Sequence, residues 1–234
     1  MKPSGKTVKL NGKTFEIKGN EYTSEQIIEK MGSLLTPERK ERIREVVDKR
    51  TYDIIPVMDG IHDLGNVSAV LRSAEAFGLQ EVHFVENQPK YKISQRTSKG
   101  TDKWLNVIRW KESLACAKDL KARGYQIVST HLDDTAVPIS SVDFSKKTAL
   151  ILGNEKDGVS KEILEMSDVR CIIPMQGFAE SFNISVAAAV SFYHIYQDRM
   201  KKLGHHGNLT QEEKNYLIAD YFLRTTDNPE LYFS

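Results

Sequence analysis

The chain has 234 residues, with 33 Lys and Arg against 32 Asp and Glu and a formal net charge of +1. That length suits one large domain, or one domain with an appendage. The charge balance excludes a uniformly basic nucleic-acid coat, so any nucleic-acid footprint is a local patch. Two cysteines, Cys116 and Cys171, exclude a disulfide framework and a Cys-x-x-Cys zinc site, and they point to a reducing, cytoplasmic setting.

The first twenty residues carry charges every few positions and no apolar leader. Asn11-Gly12, between alternating flanks over residues 7–17, predicts a β-hairpin. Thr23 with Gln26 predicts a capping box for a short helix ending near Met31. Residues 1–35 therefore read as a small hairpin-plus-helix appendage. Thr36-Pro37-Glu38 starts the next helix, running to about Arg50. Its basic residues Arg39, Lys40, Arg42, Arg44, Lys49 and Arg50 are interspersed with acids, which suits either a solvated face or an arm that touches phosphates.

From residue 53, apolar runs alternate with amphipathic segments. Strands are predicted at 53–60, 81–86, 105–110, 125–131, 148–153 and 169–174, and helices at about 66–77, 112–123, 159–166 and 183–203. This pattern predicts an α/β fold, a mainly parallel sheet flanked by helices on both faces. Lys90, Lys92, Arg96, Lys99 and Lys103, with Tyr91 and Trp104 interleaved, form a basic aromatic stretch suited to RNA or to a surface loop. No run is long enough to span a bilayer; the most apolar, Ile184 to Tyr196, falls short. Thr210 and Glu213 form a second capping box, opening a helical tail over 204–234. The end, Glu230 to Ser234, partly resembles a protease-tag remnant.

Chemistry can sit at the carboxyl ends of the strands, where open α/β sheets bind ligands. Asn66 stands where a helix N-cap is expected. Arg72, six residues on, lies off its face and reads equally as a surface ion pair. Gly153 and Gly158 have phosphate-loop spacing, but Val159-Ser160 follows where Lys-Ser/Thr is required, and no G-x-G-x-x-G is present. Nucleotide-loop chemistry loses its support, and Glu155 alone is a turn carboxylate. After Pro174, Ser181 or Asn183 caps the long helix. His62, His83 and His194 read as structural, and His205-His206 as a loop pair lacking a third metal ligand.

Taken together and in order, NVSAVLRSAEAFG (66–78), LILGNEKDGVS (150–160) and IIPMQGFAESFNISVAAAVSFY (172–193) resemble the SpoU (TrmH-like) family of RNA ribose 2′-O-methyltransferases in the SPOUT superfamily, with TSKGTDKWLNV (97–107) fitting between the first two blocks. The likeness covers about residues 36–203, taken as the methyltransferase domain with its leading basic helix. It implies a C-terminal trefoil knot, a homodimer, no metal, and S-adenosylmethionine held by Thr130, His131, Leu132, Gly153, Ile173, Met175, Ser181, Phe182 and Asn183. It assigns catalysis to Arg72, with Asn66, Glu155 and Asn183 orienting it. RNA phosphates would meet Arg39, Lys40, Arg42, Arg44, Lys103, Arg199, Lys201 and Lys202. The compact plan favours tRNA, at a D-loop guanosine (position 18), over 23S rRNA. A non-catalytic RNA-binding paralogue is the alternative of a different class.

Overall fold

The structure, a computed structural model, describes residues 8–11, 14–61, 63–86, 100–154 and 156–233. They fall into two compact units, one of residues 1–50 with 207–234 and the other of 51–206. The basic helix at Thr36 thus groups with the front hairpin and the tail.

In the first unit, β1 (Val8–Asn11), β2 (Thr14–Ile17) and β3 (Asn20–Tyr22) form an antiparallel sheet in that order. Asn11 pairs with Thr14, so Asn11 closes its strand and does not occupy the turn. Thr23 and Gln26 make both halves of the capping box that starts α1 (Ser24–Gly32). Thr36 caps α2 (Pro37–Val47), which stops short of Arg50. Arg50 is buried, its guanidinium 5.9 Å from the Tyr221 ring. The Thr210–Glu213 box starts α7 (Gln211–Leu223), and Tyr216 stacks on Phe15 at 4.9 Å. The end of the chain is packed as well. Phe233 is buried, with its ring 4.9 Å from that of Tyr22, and its carbonyl accepts from Lys18 Nζ at 2.8 Å.

The second unit contains β4 (Ile54–Asp59), α3 (Leu64–Ala76), β5 (Glu81–Val85), β6 (Asn106–Trp110), α4 (Ser113–Ala122), β7 (Gln126–Thr130), β8 (Val137–Pro138), β9 (Thr148–Gly153), α5 (Lys161–Met166), β10 (Val169–Ile172) and α6 (Ile184–Leu203). The strands form one sheet in the order β6-β5-β4-β9-β7-β10-β8, parallel at each pairing. Period-2 alternation sends Ile54, Met58, Leu150 and Leu152 into one core with α3 and α6. Ile55, Val57, Ala149 and Ile151 enter the other, with α4 and α5. Both faces are covered, so β4 is buried along its whole length. The carboxyl ends of β4, β9, β7 and β10 consequently lie side by side.

Candidate active site

The loop after β4 sets the first polar segment. Helix α3 begins at Leu64, two residues before the predicted start, because Asp63 and not Asn66 is its cap: Asp63 Oδ1 accepts from Asn66 N at 2.7 Å. Gly65 makes room for that cap, since a Cβ there would lie 2.9 Å from Asp63 Oδ1. Asn66 therefore sits inside the first turn with its carboxamide free of capping duty. Its Oδ1 accepts from Asn183 Nδ2 at 3.2 Å, joining residues 117 positions apart. Two turns along α3, Arg72 is exposed while Val67, Val70, Leu71 and Ala74 face the core. It has no hydrogen-bonded or ion-paired partner among the described residues.

The second segment is the turn after β9. A Cβ on Gly153 would stand 2.2 Å from Gly158 C and 2.3 Å from Val159 N, so the chain can fold back there only over glycine. Asn154 N donates to Gly158 O at 3.1 Å, and Gly158 N returns a bond to Asn154 O at 3.0 Å. Asn154 Oδ1 accepts from Lys156 N at 2.9 Å and Asp157 N at 2.7 Å. Glu155 lies outside the described residues, as do His62, Lys90, Tyr91, Lys92, Arg96 and Lys99. A residue not singled out in the sequence supports this turn. Asp59, at the end of β4, is buried and accepts a bond from Ser160 N. Its signal was a lone acid closing a buried apolar strand, a position that demands polar partners.

The third segment follows β7 and β10. Thr130 Oγ1 donates to Ile151 O at 2.9 Å, and His131 N donates to Cys171 O at 3.1 Å, which tie the ends of the neighbouring strands together. Leu132 is 67% exposed and Phe182 40% exposed, while Ile173 packs against the core and Met175 is half-buried. Beside them, hydrogen bonds from Thr135 and Arg170 hold the Asp133 carboxyl down at about 2. Of the two cap candidates for α6, Asn183 is the cap: its Oδ1 accepts from Ser185 N at 2.9 Å and Ser185 Oγ at 2.6 Å, leaving its Nδ2 for Asn66. Ser181 is exposed. Thr130 to Leu132, Gly153 and Ile173 to Met175 thus lie at the adjoining carboxyl ends of β7, β9 and β10, where Leu132 is exposed to solvent.

The predicted phosphate contacts divide. Arg39, Arg42 and Arg44 are exposed on α2 and Lys40 is half-exposed; Arg42 also pairs with Glu45 at 3.1 Å. Lys103 lies over the Trp104 ring at 5.3 Å. Lys201 is exposed, and Lys202 is held 2.9 Å from both Asp143 and Asp198. Arg199 is a correction. It is fully buried, donating to Phe144 O at 3.2 Å and to His206 O at 3.4 Å, and its Nη2 lies 3.3 Å from Asp53. It continues the inward stripe of Ala188, Phe192 and Ile195 and braces the core. His83 is structural as read, buried and 2.8 Å from Glu81. Among the described residues no cluster of His, Cys, Asp and Glu could hold a metal ion, and no helix is long and apolar enough to cross a membrane.

Residues 53–193 match the SpoU rRNA Methylase family. The chain is 31% identical over 207 residues to a tRNA (guanosine(18)-2'-O)-methyltransferase of Borreliella burgdorferi, covering 87% of this chain and 94% of that one. It is 35% identical to the enzyme of the same name from Aquifex aeolicus, over 82% of this chain and 92% of that one. The crystal structure of the A. aeolicus TrmH/SpoU tRNA modifying enzyme superposes with a TM-score of 0.72 at 33% identity, covering 79% of this chain and 95% of that one. The match takes in β4 through the first half of α6, and so all three polar segments at the carboxyl end of the sheet: the chain belongs to the SpoU rRNA Methylase family.

Proposed function

We propose that this protein transfers the methyl group of S-adenosylmethionine to a ribose 2′-hydroxyl of RNA, at the guanosine(18) of tRNA for which its relatives are named. The observation that carries the reading is the Asn183–Asn66 hydrogen bond, which brings the first and third motif segments together at the open end of the sheet.

The edge suits that cofactor. A nucleoside needs an apolar slot with backbone groups at its rim. Leu132, Phe182, Ile173 and Met175 offer the slot, and the strand-end peptides at Thr130, Gly153 and Ile173 offer the rim. The tight turn over Gly153 lets backbone, rather than side chain, approach the ligand. Bound there, S-adenosylmethionine supplies an electrophilic methyl on a sulfonium, whose departure as a neutral thioether needs no metal.

What remains for the protein is to align the 2′-oxygen and relieve it of its proton. Arg72 is a permanent cation and a poor base. Its role is to grip the phosphate beside the target ribose and hold the hydroxyl in line, the hydroxyl proton passing to an oxygen of that phosphate or to water as the oxygen–methyl bond forms and the methyl–sulfur bond breaks. Asn66, fixed by Asn183, and Glu155 would orient that guanidinium once RNA is bound, since in the structure it has no partner among the described residues. The outer stripe of α6, with Val186 45%, Val190 39% and Tyr193 56% exposed, suits a second copy of the chain. The trefoil knot and this homodimer belong to the same reading, as do phosphate contacts by Arg39, Lys40, Arg42, Arg44, Lys103, Lys201 and Lys202.

The test incubates the protein with methyl-labelled cofactor and separate tRNA and rRNA pools. Label should enter tRNA and survive alkali in a dinucleotide, the mark of ribose methylation. Label in rRNA alone shifts the substrate; calorimetry without cofactor binding favours a non-catalytic RNA-binding protein. Arg72→Ala should nearly abolish turnover while cofactor affinity stays within about threefold, ~0.7 kcal/mol.

A further inference from the structure

We infer that Asp59 is the positioning residue of the cofactor loop, a buried carboxylate that clamps residues 153–160 onto the end of the sheet. The inference rests on the reading above that this loop holds S-adenosylmethionine. Asp59 is 1% exposed and takes no part in the proposed chemistry. One carboxylate oxygen accepts from Ser113 Oγ at 2.8 Å and the other from Ser160 N at 2.7 Å.

Its position makes it reach both ends of the loop. Asp59 is the register partner of Gly153, where the loop begins. Its hydrogen bond to Ser160 N holds the residue where the loop ends. Between those points the chain is closed by the paired Asn154 and Gly158 bonds and lies on Gly153 with no space for a side chain. Ser160 precedes α5 without capping it through its own side chain, and its Oγ is buried without a partner. The Asp59 carboxylate therefore takes, from another strand, the backbone N–H of the cap residue itself, the group that the N3 side chain accepts in a capping box, and it ties loop height to the sheet. Ser113, opening α4, fixes the carboxylate from the opposite side. A loop released from this clamp keeps its internal turn but loses its fixed distance from Thr130 and Ile173. Cofactor binding should suffer while RNA binding does not.

The experiment measures initial rate against S-adenosylmethionine concentration, cofactor affinity by calorimetry, tRNA affinity and thermal unfolding on the full chain. Asp59→Ala should raise the cofactor KM by about tenfold or more (~1.4 kcal/mol), with kcat at saturation and tRNA affinity within about threefold. Asp59→Asn should stay within about threefold in KM. Its Oδ1 still accepts from Ser160 N, and its Nδ2 can donate to the Ser113 hydroxyl, which accepts as readily as it donates. The double variant Asp59→Asn with Ser113→Ala separates clamp from scaffold. It buries an unpaired N–H and melts lower, yet retains the Ser160 bond and a near-normal KM. A cofactor KM that follows melting temperature across these variants, or one unchanged in Asp59→Ala, overturns the assignment. If Asp59→Ala does not fold, amide exchange of the wild type decides. The Ser160 amide should exchange as slowly as those of β9, and exchange as fast as at Lys156 and Asp157 refutes the clamp. A wild type that binds no S-adenosylmethionine sinks the methyltransferase reading instead, and Ser160 exchange still judges the clamp.

Discussion

Replacing Gly153 by Ala tests the architecture of the site at its tightest point. The added Cβ would stand 2.2 Å from Gly158 C, 2.3 Å from Val159 N and 2.5 Å from Gly158 O. All three are backbone atoms, so no rotamer change relieves the clash. Reaching an ordinary contact of ~3.5 Å requires the facing chain to withdraw by ~1.3 Å. That movement breaks or stretches the two Asn154–Gly158 bonds, 3.1 and 3.0 Å, and the 2.7 Å bond from Ser160 N to Asp59. At ~1 kcal/mol net for each, the loss is about 3 kcal/mol, a little more than a hundredfold if it falls wholly on a loop that must be ordered to bind cofactor. Calorimetric titration with S-adenosylmethionine and urea unfolding would read the two components separately. Gly158→Ala is the control. It has open space around it but a φ of +71°, so only the conformational penalty of ~1 kcal/mol applies. Wild-type cofactor affinity and stability in Gly153→Ala would refute the close approach and the loop geometry built on it.

Four further outcomes follow from particular residues. Asn183→Ala removes both a helix cap, worth ~1 kcal/mol, and the group that holds Asn66; kcat should fall well beyond the change in stability, and an equal fall of both would reduce Asn183 to a cap. Arg199→Met should cost ~3 kcal/mol in urea unfolding by removing the buried cation beside Asp53 and the donor to two carbonyls, with tRNA affinity and its salt dependence unchanged. Neutralising Arg39, Arg42 and Arg44 should instead flatten that salt dependence at unchanged stability. His206 is held neutral, its pKa pushed down to about 4 by burial and by the Arg199 charge. Above pH 6.5 neither folded nor unfolded chain protonates it, so its contribution to pH dependence is nil. As pH falls from 6.5 to 4 the unfolded chain gains the proton first, and stability drops by ~3 kcal/mol. His206→Gln should flatten urea midpoints over that window, and an unaltered profile would show that the histidine titrates normally.

The sheet was legible because its strands are short apolar runs with polar boundaries. Thr148–Gly153 has the predicted limits, β4, β5, β6, β7 and β10 differ from theirs by one or two residues at an end, and the two-residue β8, too short to show an alternation, is not predicted. Errors arose where two residues competed for one local role. Asp63 and Asn66 are both good caps, and only the packing of α3 and the small Gly65 decide for Asp63. Arg199 was misassigned by composition, since its neighbours Lys201 and Lys202 are exposed, although the spacing from Ala188, Phe192 and Ile195 already placed it on the inner face. The association of residues 1–50 with 207–234 was not legible, because Phe15 against Tyr216 and Tyr22 against Phe233 are contacts between distant parts of the chain.

The first of those errors also shows how the site is made. A cap asparagine spends its carboxamide on its own helix, as Asn183 does with its oxygen toward Ser185. Asn66 is spared that use because Asp63 takes the first-turn N–H instead. The hydrogen bond that unites two motif segments therefore depends on a residue three positions upstream, whose carboxylate takes the Asn66 N–H. Asp59 serves a second helix start in another way, accepting the backbone N–H of the cap residue Ser160, whose own hydroxyl makes no cap bond. In both places an acid following or closing β4 satisfies a helix start, so the orientation of groups on α3 and in the 153–160 loop is set from one strand. A strand buried on both faces is the most rigid support the fold offers, which is why polar residues at its end govern geometry while the groups they hold remain exposed for RNA and cofactor.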